Sequence, residues 1–377
     1  MIAAVRSEGS VSESVLYVAF ELGKKDWKLA MTSGFGRQPW LQTVGSGDLA
    51  AVERALCRGR QRCDLPPTAR VVSCYEAGRD GFWIHRALVS HGVENRVVDS
   101  ASIEVNRRAR RAKSDRIDAR KLVMMLVRAC CGEARVFAEV RVPSVEAEAA
   151  RHRSRERTAL VQEQTRLRNQ IGSWLATSGC RVTARLRQQA AWWTSVRDWA
   201  GAVLPPAVQA RIARAEARLA IVADQIGTIE ASQTATLGAA APASALARLV
   251  QLKGVATTSA SVLVDEGLVW RAFQNRRQVG GLLGFAPVKY ESGEASHDQG
   301  ISRAGNERLQ AVMVQVAWSW VHWQPHSALT RWYRARFGVG KRARKIGIVA
   351  LARKLLIALW RWATSGTLPS GAVLKRA

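Results

Sequence analysis

The chain is poor in the features that define several common protein classes. It has six cysteines, at 57, 63, 74, 130, 131 and 180, but no Cys-x-x-Cys pair and no histidine at finger spacing from any of them. That pattern excludes a zinc-finger site and a disulfide framework, and it fits reduced thiols in a cytosolic protein. No segment reaches the run of about 18 uninterrupted apolar residues that a membrane span requires. The nearest, 346–363, is broken by Arg353, Lys354 and Arg361. Residues 1–14 are polar and lack the apolar stretch of a signal peptide. From Arg331 to the end there is no acidic residue at all. What is present in excess is positive charge. Lys and Arg total 57 against 30 Asp and Glu, a net charge of +27 over 377 residues. Such an imbalance speaks of partners rather than fold, and the natural partner is a polyphosphate. The length suits two or three domains.

Periodicity divides the chain. Short apolar runs at 15–20, 27–32 and 40–44 read as a strand meander. They are followed by a helix at 49–57, a strand at 70–74, a helix at 81–92, a strand at 95–98 and a helix at 115–129. Strands that first meander and then alternate with helices predict a mixed α/β sheet in a domain spanning 12–135. Residues 143–235 are helical. Two long amphipathic segments, 145–178 and 207–229, form either a hairpin or coiled-coil arm or a helical subdomain packed on the sheet. The Ala-, Thr- and Ser-rich stretch 231–244 reads as a linker. A third, mainly α-helical domain covers 245–340. Within it Leu249–Val255 with 257–264 resembles half of a helix-hairpin-helix, or equally a plain helix-turn-helix; further helices are expected at 273–283 and 307–323. The basic aromatic tail, 341–377, extends a block that begins at Arg331 and holds twelve Lys or Arg, with Trp332, Tyr333, Phe337, Trp360 and Trp362 between them. Cations interleaved with aromatics suit a nucleic-acid backbone and its bases; the other reading is an amphipathic helix with core tryptophans and solvated arginines.

Three carboxylates stand out in this cationic chain. Glu76 ends a strand and is followed by Ala77-Gly78, where open α/β sheets present their sites. Asp115 and Asp118 lie three apart on one face of the helix that Lys113-Ser114-Asp115-Arg116-Ile117-Asp118 opens. Carboxylate oxygens suit Mg²⁺ or Mn²⁺, although the same residues serve equally as helix caps or arginine partners. A fourth acid from the first strand can only be Glu21 or Asp26. Candidate nucleic-acid contacts are Arg107, Arg108, Arg110, Arg111, Lys113, Lys253, Arg303, Lys341, Arg342, Arg344 and Lys345. Ser292, in Tyr290-Glu291-Ser292-Gly293, is ordinary turn chemistry on residue type alone, with no histidine at dyad spacing. His322 and His326 flank Pro325, which breaks the helical face a metal pair would use. Gly338-Val339-Gly340-Lys341 departs from a P-loop at Ala335 and Arg342.

Taken in order, these motifs resemble one family. A strand ends in a carboxylate with Gly-Lys-Lys close behind; then come Tyr-Glu-Ala-Gly, Lys-Ser-Asp-Arg-Ile-Asp-Ala, Leu-Lys-Gly-Val, Gly-Phe-Ala-Pro-Val-Lys-Tyr-Glu-Ser-Gly-Glu and Gly-Ile-Ser-Arg-Ala-Gly-Asn-Glu-Arg-Leu. From about residue 15 to 335 the set is similar to the DEDD-type insertion-sequence transposases, the insertion-sequence family one-ten and its relatives. The resemblance implies an N-terminal RuvC-like, ribonuclease-H-like domain, a coiled-coil region and a C-terminal transposase domain carrying a serine. It implies that Glu21, Glu76, Asp115 and Asp118 bind Mg²⁺ or Mn²⁺, as two ions, and that Ser292 attacks DNA phosphate. It further implies double-stranded donor and target DNA, a structured guide RNA, a homodimer or homotetramer, and a cytoplasmic, nucleoid-associated protein. The family's first acid is usually Asp; here it is Glu21, longer by one methylene. Two other functions fit the same residues: a metal-dependent junction-resolving nuclease in which Ser292 is only a turn residue, and a catalytically decayed nucleic-acid-binding relative.

Overall fold

The structure, a computed structural model, describes residues 14–103, 115–268, 270–271, 273–285, 287–292, 295–302 and 305–375; for 101, 115–117, 287–292 and 295–300 it describes the backbone alone. The chain forms two compact units that divide between Val142 and Pro143. It is an α/β fold followed by a mainly helical one, as the periodicity predicts.

The first unit is built on one mixed sheet. β1 (Val15–Leu22), β2 (Asp26–Thr32) and β3 (Trp40–Gly45) form an antiparallel meander, and β4 (Arg70–Glu76) and β5 (Glu94–Val98) add in parallel on the other side of β1. The strand order is β3-β2-β1-β4-β5. Both faces of β1 are covered, which explains its near-continuous apolar run. Leu16, Val18 and Phe20 join Leu29, Met31, Val71 and Tyr75 in a core with α1 (Leu49–Arg62) and α2 (Trp83–Ser90). Ala19, Ala30, Val72 and Cys74 form the opposite core with Ala119, Leu122, Val123 and Leu126 of α3 (Asp115–Cys130). After α3 the chain returns along β5, where Val98 bridges Glu139 and the Val140 N–H donates to the Val97 carbonyl at 2.7 Å.

The second unit opens with two long helices, α4 (Val145–Thr177) and α5 (Pro206–Ala239). Ser144 caps the first by accepting from the Ala147 N–H at 3.1 Å, and proline sits at the first position of the second, where its missing N–H costs nothing. The stretch expected to be a linker from 231 is largely helix, because α5 continues to Ala239. Alanine is the strongest helix former, and nothing before Ala240 breaks the run. The segment between the two helices folds into a small core of its own, with Trp192, Val196 and Leu204 packed on Ile171, Leu175 and Ile212.

Among the described residues six further α-helices follow: α6 (Ala245–Gln251), α7 (Thr257–Leu263), α8 (Arg276–Leu282), α9 (Glu307–Trp323), α10 (Ala328–Phe337) and α11 (Lys341–Ser365). One buried cluster joins them, from Leu249 through Met313 and Trp320 to Leu351, Leu355 and Leu359. The helix expected at 273–283 is confined to Arg276–Leu282, capped by Asn275, whose Oδ1 accepts from the Arg277 and Gln278 N–H groups. Between α8 and α9 lies a hairpin that periodicity did not reveal, β6 (Pro287–Ser292) paired with β7 (Ala295–Ile301).

Candidate active site and nucleic-acid surface

In the first unit, strand register brings two of the four candidate acids side by side. Phe20 of β1 is the parallel partner of Tyr75 of β4, and both point into the α1 side. Since side chains alternate, Glu21 and Glu76, one residue further on, point to the face that α3 covers. Glu76 is exposed and Glu21 half-exposed. Glu21 also stands opposite Lys28 in the antiparallel ladder.

The direction of α3 decides where its acids lie. Its C-terminal Cys130 is beside Tyr17 and Arg70, at the beginnings of β1 and β4: the Tyr17 hydroxyl is pushed up by burial and then by Cys130 and Cys131, and the Cys130 thiol is raised by burial and opposed by Arg96 and Arg70. Leu122 sits over Cys74, late in β4. The helix therefore runs antiparallel to β1, and its first turn, with Asp115 and half-buried Asp118, belongs at the strand ends that carry Glu21 and Glu76. The donor set is all carboxylate, the chemistry that hard divalent cations take. Among the described residues no three His, Cys, Asp or Glu side chains are close enough together to hold a metal. The Asp115 side chain lies outside the described residues.

In the second unit Ser292 is the last residue of β6, paired with Ala295 of β7. Its side chain lies outside the described residues, as do Arg107, Arg108, Arg110, Arg111, Lys113 and Arg303 entirely. Lys253 is half-buried in the α6–α7 turn, where the N–H groups of Lys253 and Val255 donate to Val373 and Leu252. Those two donors are thus used within the fold.

The basic tail splits by residue type. Tyr333 is buried, and Trp332, Phe337, Trp360 and Trp362 pack against the helical core, with Trp362 Nε1 donating to the Arg248 carbonyl at 2.5 Å. Lys341, Arg342, Arg344 and Lys345 are exposed on the first turns of α11, which has no acidic residue there and no side-chain cap. Cations at a helix N-terminus repel the positive end of its dipole.

One polar centre had no counterpart in the sequence reading. Glu266, in a wide π-type turn at Val264–Leu268, is fully buried. Arg155 of α4 donates Nε and Nη2 to its two carboxylate oxygens at 3.0 and 3.2 Å. Arg308 of α9 donates at 2.9 Å and Asn306 at 3.0 Å. Arg308 also donates to Ser154 Oγ at 2.8 Å and Thr158 Oγ1 at 3.1 Å. Burial would raise the Glu266 carboxyl, but the Arg155 hydrogen bonds and the neighbouring guanidiniums hold it at about 2. Its neighbour Asp265, with burial dominant, is pushed up to about 6. The only sequence signal was an Asp-Glu-Gly step inside an otherwise apolar run.

The geometry thus defines a strongly basic two-unit protein with an acid-bearing α/β sheet and a helical second unit. Comparison with known proteins gives the family. Residues 246–331 match the family model described as Transposase IS116/IS110/IS902 family. The chain is 39% identical over 375 residues to "Putative transposase y4rJ" of Sinorhizobium fredii (strain NBRC 101917 / NGR234), covering 96% of this chain and 94% of that one. It is 27% identical to "Putative transposase y4qE" of the same organism, over 77% of this chain and 74% of that one. It is also 25% identical to "Transposase for insertion sequence element IS1328" of Yersinia enterocolitica, over 61% and 67%. The chain belongs to this family of insertion-sequence transposases. Among the described residues no helix is long and apolar enough to cross a membrane.

Proposed function

We propose that the protein excises and inserts an insertion sequence by metal-assisted strand exchange through a phosphoserine intermediate. The first unit is read as RuvC-like, a reading supported by the β3-β2-β1-β4-β5 order with its antiparallel meander and parallel additions. The observation that carries the reading is the convergence, at one end of that sheet, of Glu21 and Glu76 on neighbouring parallel strands with the first turn of α3. Glu21, Glu76, Asp115 and Asp118 would hold Mg²⁺ or Mn²⁺. Bound there, the cation supplies charge stabilisation to the oxygens of a phosphate under displacement.

The serine chemistry belongs to the chain itself. Ser292 Oγ forms a bond to phosphorus, one deoxyribose oxygen leaves, and the hydroxyl proton passes to that oxygen. One phosphoester replaces another, so the later reversal onto a new strand needs no nucleotide hydrolysis. Double-stranded donor and target DNA are the substrates, and a structured RNA from the element selects them by pairing. Two DNA partners favour a homodimer or homotetramer.

The test is strand exchange on a donor–target pair with the element's RNA. Asp115→Ala should abolish it at every Mg²⁺ concentration. The parent should give a covalent protein–DNA adduct on denaturing gels, and Ser292→Ala should abolish both that adduct and exchange. A Ser292→Ala variant that cleaves normally, with Asp115→Ala inactive, would instead make the protein a metal-dependent nuclease.

A further inference from the structure

The segment joining α4 to α5 combines three things that the strand-exchange reading does not use. The first is charge. Residues 178–204 contain Arg181, Arg185, Arg187 and Arg197 against a single acid, Asp198. All four arginines are exposed, and among the described residues none makes an ion pair; Arg187 alone has an aromatic neighbour, lying 5.5 Å from the Trp192 ring centroid.

The second is a rigid loop. Arg197 and Val203 bridge as antiparallel partners. The Asp198 carboxylate accepts from the Ala200 and Ala202 N–H groups, both at 2.9 Å, and the Asp198 N–H donates to the Ala202 carbonyl at 2.9 Å. The lone acid is therefore engaged in the turn. Val196 and Leu204, flanking the loop, are buried in the small core at this end of the hairpin.

The third is what the loop displays. Trp199 is 83% exposed, the most exposed tryptophan described, whereas Trp192 in the same segment is 3% exposed. Its stem is held: a Cβ placed on Gly179 would stand 2.7 Å from the Trp199 Cβ, so the chain approaches here because position 179 has no side chain. The ring itself meets water. A loop that fixes the stem of an indole and leaves its face bare, in a segment with four exposed arginines, matches base stacking beside phosphate neutralisation.

We propose that the tip of the α4–α5 hairpin is a nucleic-acid site that stacks an unpaired nucleobase on Trp199 while Arg181, Arg185, Arg187 and Arg197 contact the flanking phosphates. The proposal uses the family's commitment to nucleic acid but not the serine or metal chemistry. The unpaired base can come from an RNA loop or from single-stranded DNA exposed during exchange.

The full chain is assayed by fluorescence anisotropy on an RNA hairpin with an unpaired loop, a single-stranded DNA oligonucleotide and a blunt DNA duplex. Trp199→Ala should weaken binding about tenfold or more to at least one unpaired probe, and Trp199→Phe should restore most of it. Duplex affinity should stay unchanged. The probe that loses affinity identifies the source of the base. Replacing the four arginines with alanine should reduce the slope of log K against log salt on that probe by about 3, from four single-strand phosphate contacts at ~0.7 each. Two results overturn the proposal: unchanged affinity of Trp199→Ala for both unpaired probes, or an equal loss on the duplex. If sedimentation shows instead that Trp199→Ala dissociates an oligomer with all affinities intact, the tip is a contact between protein copies. The readout is binding without exchange, so failure of the strand-exchange reading leaves this result legible.

Discussion

Glu266 and Asp265 are sequence neighbours with opposite electrostatic fates, and the difference lies in the donors around each. Glu266 receives a two-pronged hydrogen bond from Arg155, a third guanidinium contact from Arg308 and an amide from Asn306. Replacing one partner of such a buried set leaves uncompensated charge, which is why these contacts hold α4, the π-type turn and α9 in one arrangement. Asp265 is also withdrawn from water but lacks that set, and burial outweighs the attraction of Arg153 and Arg308. The pH consequences run in opposite directions. The Glu266 contribution is complete above its ordinary value of 4.5 and is lost as pH falls towards about 2. Asp265, raised from 3.8 to about 6, binds its proton more tightly in the folded protein, so it favours folding below 3.8 and that contribution is lost as pH rises through 6. Asp265→Asn should remove the fall in stability between pH 4 and 6 and make the protein more stable than the parent at pH 7, by about 1–2 kcal/mol after allowing for partial exposure. Urea midpoints measured from pH 3.5 to 8 check this; parallel profiles for parent and variant would show that Asp265 titrates normally.

The elements that were legible in the sequence are those whose pattern is local. Leu16, Val18 and Phe20 alternate with Ala19 along β1 as a two-faced buried strand requires, and α9 runs over Glu307–Trp323 as its spacing indicates. The placement of Glu76 at a strand end followed from the turn chemistry after it. The β6–β7 hairpin was illegible because β6 offers only Val288 and Tyr290 as an alternating pair, and β7 runs through Ser296, His297, Asp298 and Gln299 with no apolar alternation. The Glu266 centre was illegible because its partners come from 111 and 42 residues away. The tail's aromatics left two readings open, and tertiary packing turned them inward. Gly305 shows how a motif residue acquires meaning only in the fold. An added Cβ there would stand 2.4 Å from the Gly284 nitrogen and 2.4 Å from the Leu283 carbonyl carbon, both backbone atoms that cannot swing aside. The Asn306 N–H donates to the Leu282 carbonyl at 2.9 Å across the same approach. Gly305→Ala should therefore push the start of α9 away from the end of α8 and cost about 1–3 kcal/mol. Thermal unfolding of the variant measures that cost, and an unchanged midpoint would mean that the two backbones separate freely.

The surplus of positive charge on the whole molecule has a cost that can be measured apart from its use. Lys341, Arg342, Arg344 and Lys345 crowd the first turns of α11, where the helix dipole is positive and no acid or side-chain cap offsets it. In the free protein each of these cations is unfavourable by about 0.3–1 kcal/mol at low salt. A bound polyanion reverses the sign, because phosphate oxygens are attracted to the side chains and the helix end alike. The two effects separate in one variant. With all four replaced by alanine, the free protein should melt at a higher temperature than the parent in low salt, and the difference should shrink as salt screens the repulsion. The same variant should bind duplex DNA more weakly, with the slope of log K against log salt reduced by about 3–4, since each lost phosphate contact removes ~0.9. A structural role for these residues predicts the opposite first result, a lower melting temperature. A merely solvated face predicts no change in slope. Only a surface kept cationic for a phosphate backbone, at the expense of the free protein, yields higher stability together with weaker and less salt-sensitive binding.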